Sequence, residues 1–595
     1  MKNKKWINFR LLFRRITSWR LLNLSQRHFI LILSVIVGLL SGLAVVVIKN
    51  TVHFIQKIIT LGFAEDLHKY LFVVYPLIGI LITVFIIQRF IGRPVYPGIP
   101  FALFSISKRN SIIRRFRMFS SVITSVFTVG FGGSAGLEGP SVMTSAAIGS
   151  NIGRAFKMNY KVRTLLIGCA ATASLAAIFK APVAAIVFAI EVIMLDLTTA
   201  SLIPLLLASV SAAIISSFFL GDDVLFHFTL VDQFRASDLP FYLLLGVVSG
   251  VISLYFSKIY LYIVGRFQSL KNPYKRALIG GLLMGVLLLL FPPLYGEGYD
   301  IVNAILNGKG DQLTQNTLFE TDNSYLFLLF VVTVLFFKAL ATSFTIGSGG
   351  VGGIFAPTLF MGSVLGFSFS RALNLFGFKD VSESNFTLVG MAGLMAGVLH
   401  APLTAIFLIA EITGGYELFI PLMFTGAIAF TTVKIFMPHS IYTIELAKRG
   451  ELITHHKDKA VLTLMRLEKE IEKNFIPLSP NATLGELVNS ISKSNRNLFP
   501  VLDKSGFLVG ILTLDQVRDI MFDKSLYDDV KVESLMEAPP EQIEVHESMD
   551  TVVEKFERSG AWNLPVLDNG KYVGFVSKSK LFSAYRNLLV EFSEE

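Results

Sequence analysis

Cysteine is almost missing from the chain: Cys169 is the only one in 595 residues, so neither an intrachain disulfide nor a thiolate metal cluster can be built. Charge is scarce as well. Asp, Glu, Lys and Arg together make up 16% of the residues, against roughly 25% in soluble proteins. No acidic residue precedes Glu65. These shortages exclude a disulfide-stapled extracellular scaffold and a charge-rich disordered chain, and they make a soluble enzyme a poor fit. What fills the space is apolar. Hydrophobic residues reach 53%, and the mean hydropathy of +0.62 is that of a chain lying largely in lipid.

The formal charge of +10, from 53 basic and 43 acidic residues, is concentrated at one end. Lys2, Lys4, Lys5, Arg10, Arg14, Arg15, Arg20 and Arg27 precede the first long apolar run. Beside a membrane segment such a cluster reads as a cytoplasmic anchor against anionic lipid, not as a nucleic-acid surface, and no nucleic-acid partner is expected. The run that follows, 29–48, is about 20 residues long, enough to span a bilayer and too long for a signal peptide. Residues 1–28 are therefore read as a basic cytoplasmic N-terminus, and 29–48 as a span retained in the mature protein.

Apolar runs of spanning length recur to about residue 438, many of them broken by Gly and Pro. Non-helical backbone at membrane depth survives only where it is buried in protein or lines a cavity, so the breaks mark candidate sites. The breaks also repeat. Ala181-Pro182-Val183-Ala184-Ala185-Ile186, leading to Glu191, reappears 220 positions later as Ala401-Pro402-Leu403-Thr404-Ala405-Ile406, leading to Glu411. Upstream of each copy lies a Gly-rich segment ending in proline, residues 132–140 and 347–357. Two halves with breaks at matching positions are the pattern of an inverted-repeat transporter with its site between the halves. The expected fold is an all-α polytopic membrane domain over 29–448.

Beyond residue 448 the composition turns polar, and a second repeat appears. Leu498-Phe499-Pro500-Val501-Leu502-Asp503 matches Asn563-Leu564-Pro565-Val566-Leu567-Asp568. Each copy follows a helix pattern and precedes a short β-branched strand. These two α+β units resemble a pair of CBS modules, read as 475–530 and 531–595 after a linker at 449–474. In membrane proteins such modules are cytoplasmic, which agrees with the basic N-terminus and requires an even number of crossings.

A bare anion in a low-dielectric setting needs convergent N–H groups and preferably no fixed cation to trap it. Helix N-termini supply those donors, glycine lets the backbone approach closely, and proline fits the first turn. Gly136-Leu137-Glu138-Gly139-Pro140-Ser141, Gly353-Ile354-Phe355-Ala356-Pro357-Thr358 and Pro97-Gly98-Ile99-Pro100 all have this form. Three such breaks pointing inward would make an anion pathway.

With Tyr96-Pro97-Gly98-Ile99-Pro100, Gly136-Leu137-Glu138-Gly139-Pro140, Gly353-Ile354-Phe355-Ala356-Pro357 and the tyrosine of Ser440-Ile441-Tyr442 in that order, the chain resembles the CLC family of chloride channels and proton-coupled anion exchangers. The resemblance implies a homodimer in which each subunit has its own pathway, lined by the backbone N–H groups of Ile354 and Phe355 and by the Tyr442 hydroxyl. Glu138 is the expected gate: a carboxylate among N–H donors mimics the anion and holds its place until protonated or displaced. A helix-capping acid is the plainer role for such a residue.

Two departures from the family pattern bear on mechanism. Pro97 stands where many chloride-selective members place serine, as in plant members that favour nitrate, so nitrate is carried as the alternative anion to chloride. Val192 follows Glu191 where exchangers of the family usually have a second acid that hands protons inward. An aliphatic side chain cannot relay a proton, and this tips the expectation toward passive conduction of the voltage-gated-channel type, with the proton-coupled exchanger as the alternative. Glu191 is the fallback proton relay, although its repeat mate Glu411 suggests that both acids satisfy backbone at helix ends. Lys180 and Lys338, beside or within apolar runs, raise the local anion concentration or pair with buried carbonyls.

In the C-terminal modules, nucleotide-binding CBS pairs usually carry Ser or Thr with Asp three positions on. Here Thr513 is followed at that spacing by Gln516, with Asp515 adjacent, and Ser577 by Lys580. Adenine nucleotide binding is therefore a weak expectation. The nine histidines show no ligand spacing, and no metal is assigned. The sequence predicts a multi-pass protein of the lipid bilayer, in the cell membrane, moving small inorganic anions without covalent chemistry. A CBS-regulated divalent-cation transporter would need clustered acids at membrane depth, and a membrane enzyme would need a nucleophile with its base; neither set is visible.

Overall fold

The computed structural model describes residues 25–60, 65–92, 98–193, 199–221, 232–314, 317, 319–321, 323–448, 462 and 465–593. The chain divides into two units at about residue 450. The first is wholly helical among its described residues. In chain order its helices are α1 Gln26–Thr60, α2 Glu65–Ile86, α3 Gly98–Lys108, α4 Arg117–Gly130, α5 Glu138–Ala155, α6 Tyr160–Phe179, α7 Pro182–Glu191, α8 Thr199–Leu220 and α9 Leu239–Gln268. They continue as α10 Pro273–Leu290, α11 Tyr299–Leu306, α12 Ser324–Gly347, α13 Phe355–Leu375, α14 Glu383–Leu399, α15 Pro402–Ile412, α16 Phe419–Phe436 and the short α17 Ile444–Lys448.

Among the described residues eight helices are long and apolar enough to cross a membrane. Their outward faces are apolar, as lipid requires: Phe218, Val251, Leu329 and Ile435 are all exposed. The inward helices are built from small residues. On α1, Gly38 and Gly42 lie against Ala208 and Ala212 of α8, the small-residue contact that lets two helices approach without interposed side chains. Asn159 caps α6 and Ser382 caps α14 through their side-chain oxygens, so the corresponding helices of the two halves begin in the same way.

The repeat in the sequence is a symmetry of the structure. Lys180 (φ 54°) and His400 (φ 56°) end α6 and α14 in the left-handed conformation, and Pro182 and Pro402 open α7 and α15. Gly136 and Gly353 form an antiparallel bridge, N–H to carbonyl at 2.9 Å in one direction and 2.7 Å in the other. Because the two strands of that bridge run oppositely at equivalent positions, α5 and α13 leave it in opposite directions. The bridge is locally two-fold, as an inverted repeat requires.

The second unit contains two α+β modules. In the first, β1 (Leu498–Leu502) pairs antiparallel with β2 (Leu508–Thr513), and helix α19 (Leu484–Lys493) packs on them after the short α18 (Leu467–Glu470). In the second, β3 (Ile543–Glu544), β4 (Asn563–Asp568) and β5 (Lys571–Ser577) form a sheet of order β3-β4-β5. Part of the segment read as a linker belongs to the second module: Met465 and Leu467 lie in one core with Ile543, Phe556, Leu564 and Val566. Glu472 exchanges backbone hydrogen bonds with Phe575. Leu498, Ile511 and Phe575 join the modules into one apolar seam.

Candidate functional site

Three helix starts meet. The backbone at Gly98, the first residue of α3, lies so close to α5 that a Cβ there would be driven into the Gly139 carbonyl. Gly353, before α13, also approaches Gly139, though less closely: a Cβ on it would stand 2.9 Å from the Gly139 nitrogen. Gly98, Ile99, Gly136, Leu137, Gly139, Gly353, Ile354, Phe355 and Ala356 all lie buried around the starts of α3, α5 and α13. Pro97 and Tyr96 fall outside the described residues. The starts of three helices, each with unpaired first-turn N–H groups and a positive dipole end, are thus packed side by side.

Glu138 opens α5 and is fully buried. Its Oε1 accepts a hydrogen bond from the Tyr299 hydroxyl. Its Oε2 is turned toward Gly136 and the start of α13, in a space that a side chain on Gly136 would fill. A tethered carboxylate therefore sits among the donors that an anion would use. Tyr442, in the turn before α17, is buried, and its hydroxyl has no partner among the described residues. The Phe355 ring packs against Phe179, centroids 5.1 Å apart, and holds the start of α13 in place.

Glu191 and Glu411 form a reciprocal pair. Glu191 at the end of α7 accepts from Leu403 N (3.0 Å), Thr404 N (2.7 Å) and the Thr404 hydroxyl (2.6 Å), at the start of α15. Glu411 on α15 accepts from Val183 N (3.0 Å) and Ala184 N (2.8 Å), at the start of α7. Both carboxylates are committed to helix starts, and the neighbouring Val192 is buried and holds no proton. We predict that Glu191→Ala and Glu411→Ala each lower stability in detergent by about 1–3 kcal/mol, because charged hydrogen bonds to N–H groups are lost. Glu191→Gln, which keeps an acceptor oxygen, retains wild-type transport. Thermal unfolding and liposome flux on the same preparations check both outcomes.

The two lysines expected to matter bond to carbonyls. Lys338 on α12 is fully buried; its Nζ donates to Leu294 O (3.2 Å) and Gly296 O (3.1 Å) and lies 4.5 Å from the Phe360 ring centre. Lys180 donates to Gly221 O at 2.6 Å.

Family comparison decides what kind of assembly this is. The profile described as voltage gated chloride channel matches residues 79–434, and the CBS domain profile matches 469–523 and 532–587. The chain belongs to the CLC family. A putative chloride channel protein ClcB-like of Ralstonia nicotianae is 32% identical over 353 residues, 58% of this chain and 77% of that protein. The H(+)/Cl(-) exchange transporter ClcA of Vibrio cholerae is 30% identical over 426 residues, 67% of this chain and 86% of its own. Among solved structures, a slow cyanobacterial Cl-/H+ antiporter superposes with a TM-score of 0.61 at 24% identity, over 72% of this chain and 99% of its own. A eukaryotic CLC transporter gives 0.59 at 17% identity, over 93% and 99%. This CLC protein is an integral multi-pass membrane protein of anion transport with a C-terminal CBS pair, and it is not an enzyme.

Three residues at the site escaped the sequence reading: Lys49, Glu297 and Tyr299. Glu297 lies in Tyr295-Gly296-Glu297-Gly298-Tyr299, a fourth Gly-rich break with an acid before a helix, and that was the available signal. Lys49 on α1 donates to Ile178 O at 2.8 Å.

In the CBS pair of this CLC protein, Thr513 caps the one-turn helix that follows β2, with Gln516 returning a bond to its N–H at 2.6 Å. Asp515 is exposed and pairs with Arg518. Ser577 instead donates to Glu472 at 2.8 Å, and Arg496 also binds that carboxylate. Partial burial alone would raise the Glu472 carboxyl, but these donors and the positive charge of Arg496 and Lys580 outweigh it and hold it below the usual range. A carboxylate held low in the folded state adds stability above its unfolded value of about 4.3 and loses it as pH falls through the folded one. Glu472→Gln therefore lowers the unfolding temperature of the CBS unit in the full protein at neutral pH and flattens its loss in acid. Differential scanning calorimetry against pH measures this.

Proposed function

We propose that this CLC protein is a proton-coupled chloride exchanger in which Glu138 is the single point where proton and anion compete. The observation that carries the reading is the position of the Glu138 carboxylate among the N–H donors at the starts of α5 and α13. Ionised, it occupies the anion's place. Protonated, it no longer binds those donors as an anion does, and the anion replaces it. Proton binding and anion binding are thereby linked at one locus.

The backbone N–H groups of Ile354 and Phe355 and the Tyr442 hydroxyl are the groups proposed to hold the central anion, while Gly98, Ile99, Gly136, Leu137, Gly139 and Ala356 shape the space around it. Val192 excludes a side-chain relay at its own position, so protons reach Glu138 from the inner side through water. The passive-channel reading drawn from Val192 has less support than exchange, since the relatives named for coupled transport align with two thirds of the chain. Two copies, each with its own pathway, and cytoplasmic termini complete the proposal.

The test is proton movement in liposomes under an imposed chloride gradient, with no pH gradient and the membrane potential clamped. Exchange predicts protons driven against their own gradient. Chloride flux without proton movement would return the protein to the channel reading.

A further inference from the structure

The loop from Phe291 to Gly298 is held at several points. The Gly296 N–H donates to Gly132 O at 3.2 Å, and Lys338 takes the Leu294 and Gly296 carbonyls. Gly298 (φ 87°) turns the chain against the Phe360 ring. Between two positive-φ glycines, Glu297 is directed at α5, where its Oε1 accepts from the Leu137 N–H at 3.0 Å.

That N–H belongs to the break preceding α5, one residue before Glu138. Two carboxylates thus stand at one helix start, each on a different part of the donor set: Glu138 beside Gly136 and Ala356, Glu297 on Leu137. A capping role needs only one. Two like charges repel strongly where water is excluded. The groups within electrostatic reach of the pair come from four other places: Lys49 of α1, Lys338 of α12, Tyr299 of α11 and Tyr442 in the turn before α17, with Lys180 acting on Lys49. Neither lysine forms a direct ion pair with Glu297; both spend their hydrogen bonds on carbonyls. Glu297 is thus a tethered anion balanced by charge at a distance and bonded to a pathway amide.

We propose that Glu297 is a second gate, in series with Glu138, which holds the Leu137 N–H until it is protonated or displaced by an arriving anion. The proposal rests on the reading that the break at Gly136–Pro140 lines the anion pathway. It adds a site at which pH acts on anion movement apart from proton coupling.

The experiment is chloride efflux from liposomes holding the full-length protein, with equal pH on both faces, compared at about pH 9.5 and about pH 4.5. In Glu138→Gln, where the first gate no longer titrates, acidification is expected to raise efflux at least about threefold as Glu297 protonates. In Glu138→Gln/Glu297→Gln, efflux is expected to be fast and equal at both values. The amide introduced by Glu297→Gln keeps a carbonyl oxygen for the Leu137 N–H, so the fold is preserved, and gel filtration verifies it. A flat profile in the single variant, or a slope surviving in the double one, overturns the proposal. Proton movement in wild-type vesicles is read alongside. Its absence would remove the exchange reading and leave the efflux comparison, which needs anions alone, fully decisive for Glu297.

Discussion

Glu138→Gln is expected to reduce proton movement to background while chloride still crosses the membrane. The glutamine amide is close to isosteric with the carboxylate it replaces but cannot carry a titrating proton or a charge. It competes for the N–H donors only as a neutral acceptor, and hydrogen bonds to neutral acceptors are roughly half as strong as those to charged ones. The anion gains the site and the proton loses its carrier, so uncoupling is the outcome that a purely structural cap would not produce. Were Glu138 only a helix cap, the variant would lose about 1 kcal/mol of stability and keep its coupling. Paired chloride-electrode and pH-electrode traces from one liposome preparation separate the two results.

Gly98→Ala is expected to lower chloride flux by at least about tenfold, the second large effect, for a steric reason. The new methyl group would be driven into the Gly139 carbonyl, which is backbone and cannot swing aside. Either α3 or α5 must shift, at a typical overpacking cost of about 1–3 kcal/mol, and the three helix starts no longer converge. Gly265→Ala is the matched control. Its Cβ would meet nothing within 4 Å, on the helical backbone of α9, so it should leave flux unchanged and add about 0.5–1 kcal/mol of stability. Flux assays and thermal unfolding of both variants test whether close approach, and not loss of glycine as such, is what matters.

Much of this arrangement could be read from the residues alone. The breaks at 97–100, 136–140 and 353–357 were legible because only glycine permits backbone to meet backbone, and proline marks where a helix starts. The pairing of Glu191 with Glu411 was legible as a repeat, but its reciprocity was not: that each acid caps the other half's helix is a fact of tertiary placement. Lys49 stands just past the apolar run 29–48 and gives no sign of its inward direction. Glu297 draws no functional reading from sequence, since an acid between two glycines is ordinary in exposed loops. Only the folding of that loop onto the start of α5 makes it part of the site. Polar composition makes 449–474 look like linker, whereas Met465, Leu467 and the Glu472 backbone complete the second CBS module. The channel expectation from Val192 has less support than the exchanger carried beside it as the alternative, because relatives named as exchange transporters align with two thirds of the chain.

The exchanged carboxylates at the starts of α7 and α15 have a consequence for biogenesis. When α7 leaves the ribosome, the acid that will satisfy Val183 and Ala184 is still unmade, more than two hundred residues away. Those N–H groups must be hydrated, or served by the insertion machinery, until Glu411 arrives. The first half of the nascent protein is therefore an unfinished object, unable to settle in lipid by itself. A chain truncated between α7 and α15 should be recognised as misassembled and degraded, unless a separately expressed second half supplies the missing acid.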